Sequence, residues 1–147
     1  MKLTIAWIGK TKSAGVQSLA EAYLKRLMQY SEAEGLSLKD EAALLKFCGR
    51  EGRNQRRWLI LLDSRGKQLS SEELANFLRD HQERSTLPLV FGIGPADGFA
   101  EGVRAQADLV LSLGRMTLAH ELARVVLLEQ LYRAFTMLKG HPYHLGH

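Results

Sequence analysis

Near its C-terminus the chain reads "KGHPYHLGH", and His141, Pro142, Tyr143 and His144 are the residues there best suited to chemistry. An imidazole accepts a proton near neutral pH. A phenol offers a flat face on which a planar group could stack and a hydroxyl for hydrogen bonding. Proline fixes one backbone angle and stiffens the segment that carries both. Just upstream, Arg133 is a permanent cation that could bind phosphate or stabilise a developing negative charge; as a plain helix residue it would complement the C-terminal end of the helix dipole. His141, His144 and His147 recur at every third position, a spacing that invites a metal ion. No Cys, Asp or Glu accompanies them, so no metal site is expected.

A second set of candidates lies in three loops, "LDSRGK" at 62–67, "GIGPADG" at 92–98 and "LGRMTL" at 113–118. Each follows an apolar run of strand length. In open α/β sheets, ligands bind beyond the carboxyl ends of the strands. The middle loop is not a phosphate loop, because it lacks the terminal Gly-Lys-Ser/Thr. It is not a dinucleotide fingerprint either, because Asp97 stands where the third glycine belongs. Its clustered glycines instead suit a sharp turn where a ligand can approach main-chain amides.

The elements that must position these residues follow from periodicity. Residues 3–9 read as a strand and 16–30 as a helix with one apolar face. Gly35 interrupts the pattern; 36–40 could form a short strand, and 41–54 a weak helix. "WLILLD" at 58–63 and "LVFGIG" at 89–94 are continuous apolar runs of the kind buried on both faces of a parallel sheet. Between them, Ser70 and the acids after it signal a helix over 70–82, with 64–68 as a loop. A short helix at 99–106 and a strand at 108–114 lead to a long helix over 118–139, for which Thr117 is a plausible cap. This alternation predicts a single α/β domain spanning 1–147, with a mostly parallel sheet and helices on both faces. The last helix is apolar nearly all round, which predicts cover by a partner subunit and hence a homodimer. Within it, Arg124 is expected either to pair with Glu121 or Glu129 or to serve the site, and His120 to form part of a pocket wall.

Composition bounds the rest. The chain has 147 residues, 46% of them apolar, a formal charge of +4 and a single cysteine, Cys48, so no intrachain disulfide can form. No run approaches the roughly 20 apolar residues of a membrane helix, and no secretory leader pattern is evident, which leads us to expect a cytoplasmic protein without membrane association. Between 46 and 67, Lys46, Arg50, Arg53, Arg56, Arg57, Arg65 and Lys67 outnumber Glu51 and Asp63. Such a stripe suits a nucleic acid or is simply a solvated face.

"LLDSRGKQLSSEELA", "IGPADG", "SLGRMTLAHELARVVLLEQLYRA" and "HPYH" occur in order and at family-like separations, with "MKLTIAWIGK" and "YLKRL" before them. On these motifs the chain resembles the ribosomal RNA large subunit methyltransferase H family, within the SPOUT methyltransferases, over essentially its whole length; 36–57 matches least. The resemblance implies a C-terminal deep trefoil knot, a homodimer, S-adenosylmethionine as cofactor, and methylation of N3 of a pseudouridine in 23S ribosomal RNA; a 147-residue chain with no dedicated RNA-binding domain is expected to read an assembled ribosomal surface rather than naked RNA. It implies cofactor binding by Leu62, Gly94, Gly98, Leu113, Gly114, Arg115, Met116, Thr117 and Leu118, and catalytic roles for Arg133, Tyr143 and His144. Pro95 departs from the family pattern, which has a second glycine there. That departure keeps open a cofactor-free ribosome-binding or RNA-binding protein of the same fold, and a different RNA target is a further alternative.

Overall fold

The computed structural model describes all residues except Arg53, Asn54, Ala96, Gly146 and His147, together with the backbone but not the side chain of His144. Five strands, β1 (Lys2–Ile8), β2 (Glu32–Leu38), β3 (Trp58–Gln68), β4 (Leu89–Ile93) and β5 (Leu109–Ser112), form one sheet in the order β2-β1-β4-β3-β5. Every pairing is parallel, with Leu3 opposite Leu89 and Trp58 also opposite Leu89. Five helices, α1 (Ala14–Leu27), α2 (Glu41–Phe47), α3 (Ser71–Arg84), α4 (Glu101–Arg104) and α5 (His120–Leu138), connect and follow them, and a 3-10 turn (Pro142–Leu145) ends the described chain.

The apolar runs alternate between two cores, as a strand buried on both faces requires. Ile60, Leu62, Leu89 and Phe91 pack with α1, α3 and α5 on one face. Leu59, Leu61 and Val90 pack with Leu44 and Leu45 of α2 and Val103 of α4 on the other. Each fully buried side chain of this size contributes roughly 1.5–3 kcal/mol. Local signals fix the helix starts. Ser70 and Glu73 form a reciprocal capping box (3.0 and 2.8 Å) at α3, Asp40 caps α2 through Ala43 (2.8 Å), and Ser13 caps α1 through Val16 (3.2 Å).

Several elements differ from the sequence expectation. Gly35 lies inside β2, which runs over Glu32–Leu38, because a Cβ there would sit 3.0 Å from both Leu24 and the Trp7 ring; the glycine makes room rather than breaking the strand. Helix α2 stops at Phe47 instead of 54. Gly49 turns the chain with φ +78° and lies so close to Arg56 that a Cβ would meet its Cα at 2.8 Å. Helix α4 is shorter than 99–106. Residues 64–68 are not a loop but continue β3, and Leu111 of β5 stands opposite both Leu62 and Lys67. There Gly66 crosses β5 with no room for a side chain, since a Cβ would lie 2.6 Å from the Val110 carbonyl.

The cap position of α5 is Ala119 rather than Thr117, and no side chain caps the helix. Its apolar circumference is covered within the chain, by the sheet, by α1 and α3, and by the 3-10 turn. Among its large apolar residues only Leu122 is exposed, at 47%. The composition of α5 therefore does not by itself require a partner. The basic stripe is also largely engaged internally. Arg50 and Arg56 both bind Asp108 at 2.7 Å, and Asp108 also accepts from the Leu59 amide (2.8 Å). Arg57 stacks over Phe47, 4.1 Å from the ring centre. Arg50 and Arg56 thus lock the α2–β3 connection to the start of β5, and Arg57 ties it to the end of α2, while Arg53 lies outside the described residues.

Candidate active site

Strands β4, β3 and β5 are neighbours in a parallel sheet, so their C-terminal ends emerge side by side. The loops leaving β4 and β5, with residues 62–65 of β3 between them, enclose a cavity of about 340 Å³, within the range of small-molecule sites. Leu62 through Arg65 line it from β3, Ile93, Gly94, Pro95, Asp97 and Gly98 from β4, and Leu113, Gly114, Met116, Thr117 and Leu118 from β5. His120 and Ala123 close it from the first turn of α5. Of the nine residues expected to hold the cofactor, eight line this cavity; Arg115 does not, and its side chain is exposed.

Asp63 organises the cavity wall. Its side chain is 2% exposed, and its oxygens accept from Arg65 Nε and Nη2 (both 2.8 Å), the Arg65 amide (3.0 Å) and the Phe99 amide (3.3 Å). The hydrogen bonds from the Arg65 side chain lower its pKa to about 2, with the backbone donors acting in the same direction against the effect of burial. Arg65 and Arg104 both donate to the Phe99 carbonyl, so both backbone groups of Phe99 are tied down. The Phe99 ring packs on Gly94, where a Cβ would lie 3.0 Å from it. Gly98 turns the chain with φ +86°, and its amide donates to the Pro95 carbonyl at 2.9 Å. The proline therefore closes the glycine-loop turn with its carbonyl, a bond that its missing amide leaves untouched.

The tail residues form a second group. Arg133 donates to Glu129 through Nη2 (2.8 Å) and Nε (3.2 Å), and Tyr143 Oη donates to the same Glu129 oxygen at 2.9 Å. Arg133 Cζ lies 5.2 Å from the centre of the Tyr143 ring, which meets Tyr132 edge-on at 4.7 Å. Tyr23 of α1 reaches Tyr143 Oη at 3.5 Å. Burial, followed by the bonds to Tyr23 and Glu129, pushes the Tyr143 phenol well above its ordinary pKa. The Tyr143 ring is thus engaged on α5 and α1 rather than held free as a stacking platform. The His144 side chain and His147 lie outside the described residues, so the three-histidine spacing gains no geometry. Among the described residues no cluster of His, Cys, Asp and Glu could hold a metal, and no helix is long and apolar enough to cross a membrane.

The two groups do not meet within one chain. Neither Arg133 nor Tyr143 lines the cavity. From Ala123 to Arg133 the helix advances roughly 15 Å at about 1.5 Å per residue. Asp63 has no assigned role from sequence, and Glu129 figures there only as a partner for Arg124; its i,i+4 spacing to Arg133 was the signal for the pair it forms. Arg124 pairs with neither Glu121 nor Glu129 by hydrogen bond. It is 2% exposed, stacks 3.9 Å over Trp7 and donates to Thr11 Oγ1 at 2.6 Å.

Residues 1–144 match the family model described as "Predicted SPOUT methyltransferase". Along its whole length the chain is 56% identical to all of a ribosomal RNA large subunit methyltransferase H from Koribacter versatilis. The chain belongs to the ribosomal RNA large subunit methyltransferase H family of SPOUT methyltransferases. Solved structures show the fold at much lower identity. A probable methyltransferase from Bordetella pertussis superposes with a TM-score of 0.61 at 11% identity, over 91% of this chain and 94% of that one. The SpoU methyltransferase AviRb from Streptomyces viridochromogenes, in complex with the cofactor AdoMet, gives 0.55 at 13% identity, over 90% of this chain and 57% of that one. As a SPOUT methyltransferase the chain is an α/β enzyme with a parallel sheet, and its cavity lies at the strand ends expected for a ligand site.

Proposed function

We propose that this methyltransferase transfers a methyl group from S-adenosylmethionine to N3 of a pseudouridine in 23S ribosomal RNA, on the assembled ribosome and as a homodimer. The observation that carries this reading is the convergence of three family-like segments on one cavity, in a chain that matches a relative named for ribosomal RNA end to end. Leu62, Leu113, Met116 and Leu118 offer apolar walls to a purine, and the backbone at Gly94, Gly98, Gly114 and Thr117 offers polar partners. Bound there, the cofactor would supply an electrophilic methyl group on a sulfonium. The chain's own residues then have two tasks, to orient the target base and to manage its imide proton.

Arg133, held in place by Glu129, stabilises the anion left on the base as that proton departs. His144 accepts the proton. Tyr143 anchors the tail that carries His144. Because Arg133 and Tyr143 lie away from the cavity of their own chain, the reading places this cluster over the cavity of a second copy. The close crossing of Gly66 and Val110, and the pairing of Leu111 with residues on both sides of 63–66, support the knotted path implied by the family.

The test is methyl transfer from labelled cofactor to ribosomes lacking the modification, followed by mass mapping of the RNA. A single new methyl on N3 of a pseudouridine in 23S RNA is expected. No cofactor binding by calorimetry at millimolar concentration would instead establish a cofactor-free RNA-binding protein, and a methyl elsewhere would change the target.

A further inference from the structure

The first two turns of α5 face two ways. His120 and Ala123 line the cavity, while Glu121 and Arg124 bind the connection between β1 and α1. Glu121 Oε1 accepts from the amides of Lys12 (3.1 Å) and Ser13 (3.0 Å), and the second of these bonds does most to lower the Glu121 pKa. Arg124 Nη2 donates to Thr11 Oγ1 at 2.6 Å with the guanidinium stacked on Trp7, and Arg124 Nε is buried with no partner. Burying an arginine with an unpaired nitrogen is costly for a short surface connection. Two side chains that fix backbone and hydroxyl groups at 11, 12 and 13 leave Lys10 and Lys12 exposed at the carboxyl end of β1, beside the cavity-forming end of β4. Past the other side of the cavity, Arg115 is exposed next to Met116. None of these three cations is needed to shape the cavity.

We propose that residues 9–13, pinned to α5 by Glu121 and Arg124, act with Arg115 as an RNA-phosphate clamp that seats the target strand's backbone across the cavity mouth. This rests on the RNA substrate proposed above and adds how that strand is held. Cations on a fixed loop bind phosphates at lower entropic cost than cations on a mobile one. Their contribution is read directly from salt dependence, because each phosphate contact releases counterions. Arg124 is then a positioning residue, acting through Thr11.

Lys10→Ala, Lys12→Ala and Arg115→Ala are surface changes that leave the core intact. With unmodified ribosomes as substrate, each should raise KM about three- to tenfold and lower the slope of log KM against log salt by roughly 0.7–0.9. Cofactor affinity by calorimetry should stay within about twofold of wild type in the two lysine variants. Thr11→Val should raise KM with kcat unchanged, a split that general loss of folding would not give. Wild-type KM and salt slope in all three cation variants would overturn the clamp. If the wild type transfers no methyl, the function reading fails instead; sedimentation binding to ribosomes over the same salt series then reads the clamp alone, and unchanged slopes there would also overturn it.

Discussion

The cavity and the Tyr143 cluster are built on opposite plans. The cavity is largely a backbone structure: two loops and a strand segment from adjacent strands, glycines where the chain turns or crosses, and one buried carboxylate that ties β3 to the loop after β4. The tail cluster is made of side chains. Glu129 holds Arg133 and Tyr143 at once, and Tyr132 and Tyr23 complete the contacts. A backbone site tolerates changes in most side chains but not in glycine or in its buttress. A side-chain site has the reverse sensitivity. Substitutions in the two regions should therefore separate cofactor binding from chemistry.

The largest separation is expected at Arg133. Arg133→Ala should lower kcat for methyl transfer by roughly 10²–10³-fold, the effect of removing one stabilising donor from a developing anion. Cofactor affinity should be unchanged by calorimetry; a matching loss of cofactor binding would merge the two regions. Next is Gly66→Ala, where a methyl group meets the Val110 backbone with no flexible atom to yield. It should destabilise the fold by about 1–3 kcal/mol in urea denaturation, and wild-type stability would mean that the crossing is looser than its geometry.

Asp63 sharpens the comparison through pH. Its folded pKa of about 2 lies below its ordinary value of 3.8, so its stabilisation is complete above about pH 4 and is lost as pH falls through 2. Denaturation midpoints should fall over that window in the wild type and fall less steeply in Asp63→Asn. The same variant should weaken cofactor binding while leaving the Arg133 cluster intact. The smallest effect is expected for Tyr143→Phe, which removes the bond to Glu129 and should cost about 1 kcal/mol of tail anchoring. Faster amide exchange over 140–145 would register it, with the exchange of β3 and β4 unaltered.

How legible each region was from sequence follows from the same contrast. The alternation of apolar runs and helices gave the parallel sheet, and strand-end position pointed to three segments, because both depend on local pattern; the family motifs then named the eight cavity residues within them. Sequence did not reveal that 64–68 continue β3, because the pairing partner is Leu111, far along the chain, and the apolar period ends at Leu62. It did not reveal that Gly35 sits inside a strand, since the reason is the volume of Trp7 and Leu24. Arg50, Arg57 and Arg124 read as candidates for RNA or for helix ion pairs, yet each is held by partners outside its own helical turn: Asp108 for Arg50, Phe47 for Arg57, and Trp7 with Thr11 for Arg124. Arg133 and Tyr143 were recognisable from the family motif, but their common anchor Glu129 emerges only when the 3-10 turn folds back on α5.

The central claim is that a cavity in one chain works with the Arg133 cluster of another. Complementation tests it most directly. Arg133→Ala and the cavity variant Gly98→Val, each inactive alone, would be co-expressed with different tags and the mixed species purified. One intact composite site per mixed dimer should restore roughly half of the wild-type turnover. Mixed dimers as inactive as either parent would contradict the account and require both groups of residues to act within one chain.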